Sequence, residues 1–173
     1  MVEKVDKTSE YVNILRRTDI FYDLTEPQLK MVAALCSEVT SKVGKIIFEE
    51  NSASDELYVV AKGEVDILLS PALVQFTTTK RPSSPLTIAT LRRGQIFGEI
   101  ALVDQGLRSA SARCASRKTR LLVISSDRLI KLCDNYSDLG YRLMRNIAVE
   151  LAFKIRGADL MIRERLLWRP RSE

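Results

Sequence analysis

The hydrophobic period of the chain changes near residue 39 and changes back near residue 125, and this constrains the fold most. Between these points short apolar-rich runs such as 57–61 and 64–69 are separated by glycine-containing turns, and apolar and polar residues alternate over 39–43 and 86–91. Alternation with a period of two is typical of half-buried strands, and many short strands predict a sandwich or barrel. The sequence therefore predicts an antiparallel β-roll of the jelly-roll type, with about eight strands over about 39–124.

One turn inside this region predicts a specific pairing. Lys62-Gly63 separates the runs 57–61 and 64–69 and is a tight hairpin signal. The stretch from Ser70 to Pro85, rich in proline and threonine, predicts an exposed loop or an irregular hairpin tip.

The segment before the roll predicts helices over about 12–37. Apolar residues after Thr25 recur at helical spacing, and Thr25 with Gln28 forms a capping-box pattern. A shorter helical turn is predicted earlier, over 12–20.

The segment after the roll also predicts helices, over about 126–168. Ser125-Ser126-Asp127 is expected to cap a short helix over 128–133, and a long helix is expected from Ser137 to about Trp168. The fold class predicted is mainly β: a roll with N-terminal helices and a long C-terminal helix.

Length and composition predict one domain over 1–173. The 173 residues, 46% hydrophobic and 28% charged, suit one soluble globular domain, taken here as complete and stand-alone. The first ten residues lack a signal-peptide pattern and no run is long enough to cross a membrane, so a cytoplasmic protein without a membrane partner is expected.

The residues missing from the chain argue against most enzyme classes. Histidine is absent, which excludes Ser-His and Cys-His catalysis and histidine metal sites. The three cysteines are far apart and predict apolar packing, with neither a disulfide nor a metal site. We therefore expect no enzyme, including a phosphodiesterase, and no metal or cofactor.

The segment from Gly94 to Ser111 contains groups that could together bind an anion. Gly98 allows the backbone to bend, 99–103 can form one helical turn with free amides, and Arg108 can fold back over it. Glu99 at the start of the turn could accept from a hydroxyl, so a ribose phosphate would suit both groups. Alternatively, Glu99 and Arg108 could simply pair with each other.

The segment Phe97-Gly98-Glu99-Ile100-Ala101-Leu102, followed by Arg108-Ser109-Ala110-Ser111, resembles the phosphate-binding cassette of cyclic-nucleotide-binding domains. That family includes the catabolite activator protein and the regulatory subunits of cyclic-AMP-dependent protein kinase. The resemblance covers about 12–165 and includes Gly44, the Gly63 turn and Gly94.

The resemblance implies a role for each cassette residue. Arg108 and Ser109 would bind the cyclic phosphate, and Glu99 would bind the ribose 2′-hydroxyl. The backbone of the residues around Glu99 would make the remaining contacts with the ligand. The predicted ligand-binding residues are Phe97, Gly98, Glu99, Ile100, Ala101, Arg108, Ser109, Ala110 and, from the last helix, Asp159.

The base contact and the choice of nucleotide are less constrained. Ala158-Asp159 falls where bacterial relatives place two hydroxyl residues that contact adenine, so Asp159 could accept from the base instead. A shift of one turn would place Arg156 or Arg163 there. Ser109, in place of the threonine common in relatives that prefer cyclic GMP, favours cyclic AMP. An acidic residue on the last helix, as Asp159 is here, occurs in some channels of the family that are selective for cyclic GMP.

The long helix has two apolar faces. One follows a 3.5-residue spacing typical of helix pairing, and the other would cover the barrel. With the resemblance, this predicts a homodimer or a protein effector bound through the helix; a single stripe buried in a monomer is the alternative. The first face is Met144, Ala148, Leu151, Ile155, Ala158 and Ile162; the second is Val149, Phe153, Leu160 and Leu167.

The net charge of +5 raises nucleic acid as a partner. Arg163, Arg165, Arg169 and Arg171 contribute to it, but the chain after the roll is too short for a helix-turn-helix reader. The main hypothesis is a sensor that couples cyclic nucleotide, with cyclic AMP favoured, to movement of the last helix. The alternatives are a DNA-binding regulator without its reader domain and a degenerate domain used only for protein interaction.

Overall fold

The computed structural model describes residues 7–70 and 84–167, and for 165–167 the backbone only. The helices are α1 (Lys7–Leu15), α2 (Glu26–Ala33), α3 (Glu99–Asp104), α4 (Ser126–Asn135) and α5 (Ser137–Leu167), with a 3-10 turn at Asp19–Phe21. The strands are β1 (Ser37–Ser41), β2 (Ile46–Phe48), β3 (Glu56–Lys62), β4 (Val65–Leu69), β5 (Leu86–Leu91), β6 (Ile96–Phe97), β7 (Ser111–Cys114) and β8 (Thr119–Ser125).

The strands form two antiparallel sheets. The first has the order β1-β8-β3-β6 and the second β2-β7-β4-β5. The sheets face each other across an apolar core and form a roll rather than a closed barrel, because no strand of one sheet pairs with a strand of the other among the described residues. The mainly β fold with flanking helices is confirmed. The core between the sheets comprises Tyr58, Val60, Val65, Leu91, Phe97, Ala112, Leu121 and Val123.

The hairpin predicted at Lys62-Gly63 is wrong. β3 belongs to the first sheet and β4 to the second, so the turn carries the chain across the roll. The carbonyl of Glu64, directly after the turn, accepts from the amide of Ala115 at 2.9 Å and from Oγ1 of Thr119 at 3.2 Å. The connection between β7 and β8 also crosses from one sheet to the other here. Its residues donate to the carbonyl of Glu64, which a hairpin would have paired with β3.

The N-terminal helices differ from the predicted range of about 12–37 at both ends: α1 begins at Lys7, and α2 ends at Ala33, before β1 begins at Ser37. α1 stops at Leu15 because Thr18 adopts an extended backbone, and its Oγ1 donates to the carbonyl of Ile14 at 3.1 Å. The capping box of α2 is confirmed, with the amide of Thr25 donating to Oε1 of Gln28 at 2.9 Å.

The first half of α5 is fixed to the body of the domain. Leu139, Leu143 and Ile147 are buried in a second core between the first sheet and the helices. The buried Asn146 donates from Nδ2 to the carbonyls of Ile20, at 3.2 Å, and Tyr22, at 2.7 Å. These contacts satisfy a buried amide and fix the direction in which α5 leaves the core.

The second half of α5 corrects the assignment of its faces. Val149, Phe153 and Leu160, predicted to cover the barrel, are 50%, 65% and 59% exposed. Gly157 and Ala158 line the cavity between the helix and the roll instead. The side chain of Leu167 and all of Trp168, the predicted helix end, lie outside the description.

Within residues 7–70 and 84–167, no helix is long and apolar enough to cross a membrane. Nor do the residues described in these ranges bring together three or more His, Cys, Asp or Glu side chains able to hold a metal ion. Cys114 and Cys133 are buried and Cys36 is partly so, and burial raises the pKa of Cys36 to about 12. The loop predicted over 70–85 lies mostly outside the description.

Candidate functional site

A cavity of about 480 Å³ lies between the second sheet, the α3 segment and α5. Its volume falls in the range of small-molecule sites, roughly 300–1,000 Å³. The strands contribute Phe48, Ile67, Leu69, Ile88, Ala89 and Leu91; the segment around α3 contributes Phe97, Gly98, Glu99, Ile100, Ala101, Arg108, Ser109 and Ala110; and α5 contributes Lys154, Gly157, Ala158 and Met161.

Gly98 lets the chain turn tightly from β6 into α3. Its φ is +85°, and a Cβ there would lie 2.5 Å from Nη1 of Arg108 and 2.8 Å from the carbonyl oxygen of Glu56. α3 then follows at 99–104, as the sequence predicted within one residue. The first amides of a helix have no carbonyl partner within it, so they are available at this edge of the cavity.

Arg108 is 2% exposed and is bound to the wall of the cavity through its terminal nitrogens. Nη1 donates to the carbonyl of Gly98 at 3.2 Å, and Nη2 donates to Oγ of Ser54 at 2.6 Å and the carbonyl of Glu56 at 2.7 Å. Since a guanidinium has five N–H groups, one N–H on Nη1 and the N–H on Nε remain. Nε is buried and has no partner among the described residues.

An aromatic cluster supports the same guanidinium. Its central carbon lies 4.2 Å from the ring centroid of Phe48, within cation–π range. Tyr58 and Phe97 stack at 4.9 Å, and the hydroxyl of Tyr58 donates to Oε2 of Glu56 at 2.6 Å. Burial, followed by the contacts with Glu56, raises the pKa of Tyr58, whereas burial lowers the pKa of Arg108. An arginine stays charged even so, and the result is a fixed, buried cation.

Glu99 lies 3% exposed at the start of α3. Its Oε1 accepts from Nζ of Lys154 on α5 at 2.8 Å. The ion pair of Glu99 is made with Lys154, and none joins it to Arg108 among the described residues, so the direct pair between Glu99 and Arg108, left open by the sequence, is not formed.

The structure brings together eight of the nine predicted site residues. The eight from Phe97 to Ala110 all line the cavity, whereas Asp159 is exposed on α5 and does not line it. Its neighbour Ala158 does. Arg156 and Arg163 are exposed as well. A contact between Asp159 and a base stays a prediction.

Sequence reasoning missed four residues that contact the side chain of Arg108 or Glu99. Phe48 and Glu56 lie at strand ends, Ser54 lies in the loop between these strands, and Lys154 is on the long helix. The sequence around Phe48 and Glu56 is that of ordinary strands, so it carried no signal that these residues contact the site. Lys154 could have been noticed as a cation one helical turn before Ala158.

The lining of the cavity is therefore polar at Glu99, Arg108, Ser109 and Lys154 and apolar at most of its other side chains. A buried cation with free N–H groups suits an anion, and the nearby carboxylate suits a hydroxyl. Ile88, Leu69 and Met161 at the apolar walls suit a flat ring. A ligand that carries an anionic group, a hydroxyl and a flat ring fits the chemistry of this cavity.

Comparison with known proteins agrees with this chemistry. The profile of the cyclic nucleotide-binding domain matches residues 38–136. The cyclic AMP receptor protein of Thermus thermophilus is 28% identical over 146 residues, covering 84% of this chain and 61% of that protein. Mouse cGMP-dependent protein kinase 2 is 28% identical over 134 residues, covering 77% of this chain and 16% of the kinase.

The fold has solved counterparts. The crystal structure of the Thermus thermophilus catabolite activator protein superposes with a TM-score of 0.67 at 27% identity, covering 84% of this chain and 62% of that one. This chain thus spans less than two thirds of the bacterial relative and about a sixth of the kinase.

Proposed function

We propose that this chain, which belongs to the cyclic nucleotide-binding domain family, is a regulatory sensor of a cyclic nucleoside monophosphate. The observation that supports it most is the convergence of Arg108, with its unpartnered Nε, and the buried Glu99 on one cavity whose other walls are mostly apolar. The proposal treats residues 1–173 as one sensor domain without catalytic activity.

Each part of the ligand has a partner in this proposal. The cyclic phosphate binds the free N–H groups of Arg108, with Ser109 and the first amides of α3 completing its contacts. The ribose 2′-hydroxyl donates to Glu99. Gly98, Ile100 and Ala101 give backbone contacts, and Phe97 and Ala110 form the wall behind them.

Cyclic AMP is the favoured nucleotide. The apolar walls of the cavity, with Ile88, Leu69 and Met161, offer no hydrogen-bonding side chain among the described residues. Guanine has more polar edge groups than adenine, and burying a polar group without a partner costs free energy. Ser109 points the same way, while a contact from Asp159 to the base would require its side chain to reach the cavity.

The signal leaves through α5. Lys154, Gly157, Ala158 and Met161 line the cavity, so a bound nucleotide contacts the helix directly. A ligand shifts a conformational equilibrium only through contacts that differ between the states, and these residues supply such contacts. Movement of the distal half of α5 would then reach a second subunit or an effector protein.

Titration of the purified chain with cyclic AMP and cyclic GMP tests the proposal. We expect saturable heat with both and affinity for cyclic AMP about tenfold higher, the equivalent of one unpaired polar group on the base. 5′-AMP, which lacks the cyclic phosphate, is the matched control and should bind more weakly. The absence of both heat and a thermal shift with either cyclic nucleotide would refute the function. Equal affinities for the two nucleotides would refute only the preference for cyclic AMP.

A homodimer through α5 is the second part of the proposal. Met144, Ile155 and Ile162, on the 3.5-residue face, are 37%, 63% and 56% exposed. In sedimentation equilibrium we expect a dimer, and Ile155→Glu should weaken it about 30-fold or more because buried interface anchors cost about 2 kcal/mol or more when removed. Lys131→Glu on α4 should leave it unchanged. A monomeric wild-type chain, or an unchanged dimer in Ile155→Glu, would contradict the proposal.

A further inference from the structure

The ion pair between Lys154 and Glu99 joins α5 to the proposed ribose site. Nζ of Lys154 lies 2.8 Å from Oε1 of Glu99, whose side chain is only 5% exposed. Lys154 is 40% exposed and its Nζ also lies 3.6 Å from Oε1 of Glu150, one turn earlier on the helix. The ammonium is thus held between a buried carboxylate and a neighbour on its own helix.

This pair leaves part of the carboxylate available. A carboxylate has two oxygens, each able to accept more than one hydrogen bond. Lys154 donates to Oε1, and no described residue donates to Oε2. A hydroxyl can therefore bind Glu99 while Lys154 remains in place, and the ligand need not break the ion pair.

The pair also compensates for the burial of Glu99. A buried carboxylate is costly unless it is paired and hydrogen-bonded. Arg108 does not pair with Glu99: the hydrogen bonds of its terminal nitrogens go to Gly98, Ser54 and Glu56. Lys154 is the cation in hydrogen-bond contact with Glu99 in the described part of the chain.

The position of Lys154 on α5 links this pair to the rest of the cavity. Lys154, Gly157, Ala158 and Met161 recur at helical spacing and form one face, all of it lining the cavity. Lys154 is the charged member of that face. It can reach Glu99 only while this part of α5 lies against the α3 segment.

We propose that Lys154 is a positioning residue for ribose recognition, one that fixes and neutralises Glu99 so that its free oxygen accepts the 2′-hydroxyl. The inference rests on the proposed function. It makes discrimination of the 2′-hydroxyl depend on α5 being docked, and by reciprocity a bound 2′-hydroxyl favours the docked helix.

The test is the ratio of affinities for cyclic AMP and 2′-deoxy-cyclic AMP, measured by calorimetry. In the wild-type chain we expect a ratio of about 10- to 100-fold, the value of one hydrogen bond to a charged group. Lys154→Met should lower the ratio about tenfold, because Glu99 loses the partner that fixes it. Lys154→Arg should restore most of it.

Three controls separate positioning from a merely structural role. Lys131→Met makes the same chemical change on α4, away from the cavity, and should keep the wild-type ratio. Glu99→Gln should itself lower the ratio, and Lys154→Met added to it should lower the ratio no further, because residues that act through one another are not additive. This double variant also removes both charges, so it remains usable should an unpaired Glu99 destabilise the single variant.

The outcomes distinguish this inference from the proposed function. A wild-type ratio that Lys154→Met leaves unchanged would overturn the role of Lys154 and leave nucleotide binding intact. Equal affinities of the wild-type chain for cyclic AMP and 2′-deoxy-cyclic AMP would overturn the proposed role of Glu99 as well as that of Lys154. Binding of neither nucleotide would overturn the proposed function itself.

Discussion

Replacement of Arg108 by lysine is expected to weaken binding of cyclic AMP by about 100-fold or more. Lysine keeps the charge but has neither the Nε–H group nor the planar fork that can hold two phosphate oxygens. Breaking a buried, hydrogen-bonded charge pair costs about 2–5 kcal/mol, which corresponds to roughly 30- to 5,000-fold in affinity. Calorimetry or competition with a fluorescent analogue would measure the loss.

Arg108→Ala should abolish binding and also lower the melting temperature. The alanine leaves the carbonyl of Glu56 without the bond that Nη2 makes at 2.7 Å and removes the group packed on the ring of Phe48. The lysine variant is therefore the cleaner test of phosphate binding. Arg92→Lys, at an exposed arginine paired with Glu64, is the matched control and should bind as the wild type does. Wild-type affinity in Arg108→Lys would contradict the assignment of the phosphate site.

The second large effect is expected from Gly98→Ala. At a φ of +85° an alanine is strained by about 1–2 kcal/mol. Its Cβ would also meet the carbonyl of Glu56 at 2.8 Å, a backbone atom that cannot move aside cheaply, and Nη1 of Arg108 at 2.5 Å. Moving either group displaces the guanidinium, so we expect a fall in stability together with a loss of nucleotide affinity of about 30-fold or more, measured by denaturation and calorimetry.

Gly44→Ala provides a close control for that variant. Gly44 has nearly the same φ, +83°, but a Cβ there would meet nothing within 4 Å. It should cost only the backbone strain, about 1–2 kcal/mol of stability, and leave nucleotide affinity within about twofold. Equal losses of affinity in the two variants would mean that Gly98 acts through general stability and not through Arg108.

The fold could be predicted from sequence wherever the signal was local. The capping box at Thr25, the short apolar-rich runs of β3 and β4 and the helical period after Ser137 each depend on neighbouring residues, and each element was found. The hairpin at Gly63 was wrong because whether a turn pairs two strands or crosses between sheets depends on distant residues, here Ala115 and Thr119.

The candidate site divides in the same way. The cassette is one continuous segment, so its residues from Phe97 to Ala110 could be recognised together. Ser54 and Glu56, which bind the guanidinium, are more than 50 residues away in sequence. The face of α5 over the cavity was misassigned because several registers of a partly apolar helix satisfy the same period.

The central claim is that Arg108 binds the phosphate and Glu99 the ribose of a cyclic nucleotide in the cavity beneath α5. A crystal structure of the chain with cyclic AMP tests it most directly. The account predicts phosphate oxygens within about 3 Å of Nε of Arg108 and the 2′-hydroxyl within the same distance of a Glu99 oxygen, with the base between the second sheet and α5. Nucleotide density with its phosphate away from Arg108, or an empty cavity at saturating cyclic AMP, would contradict it.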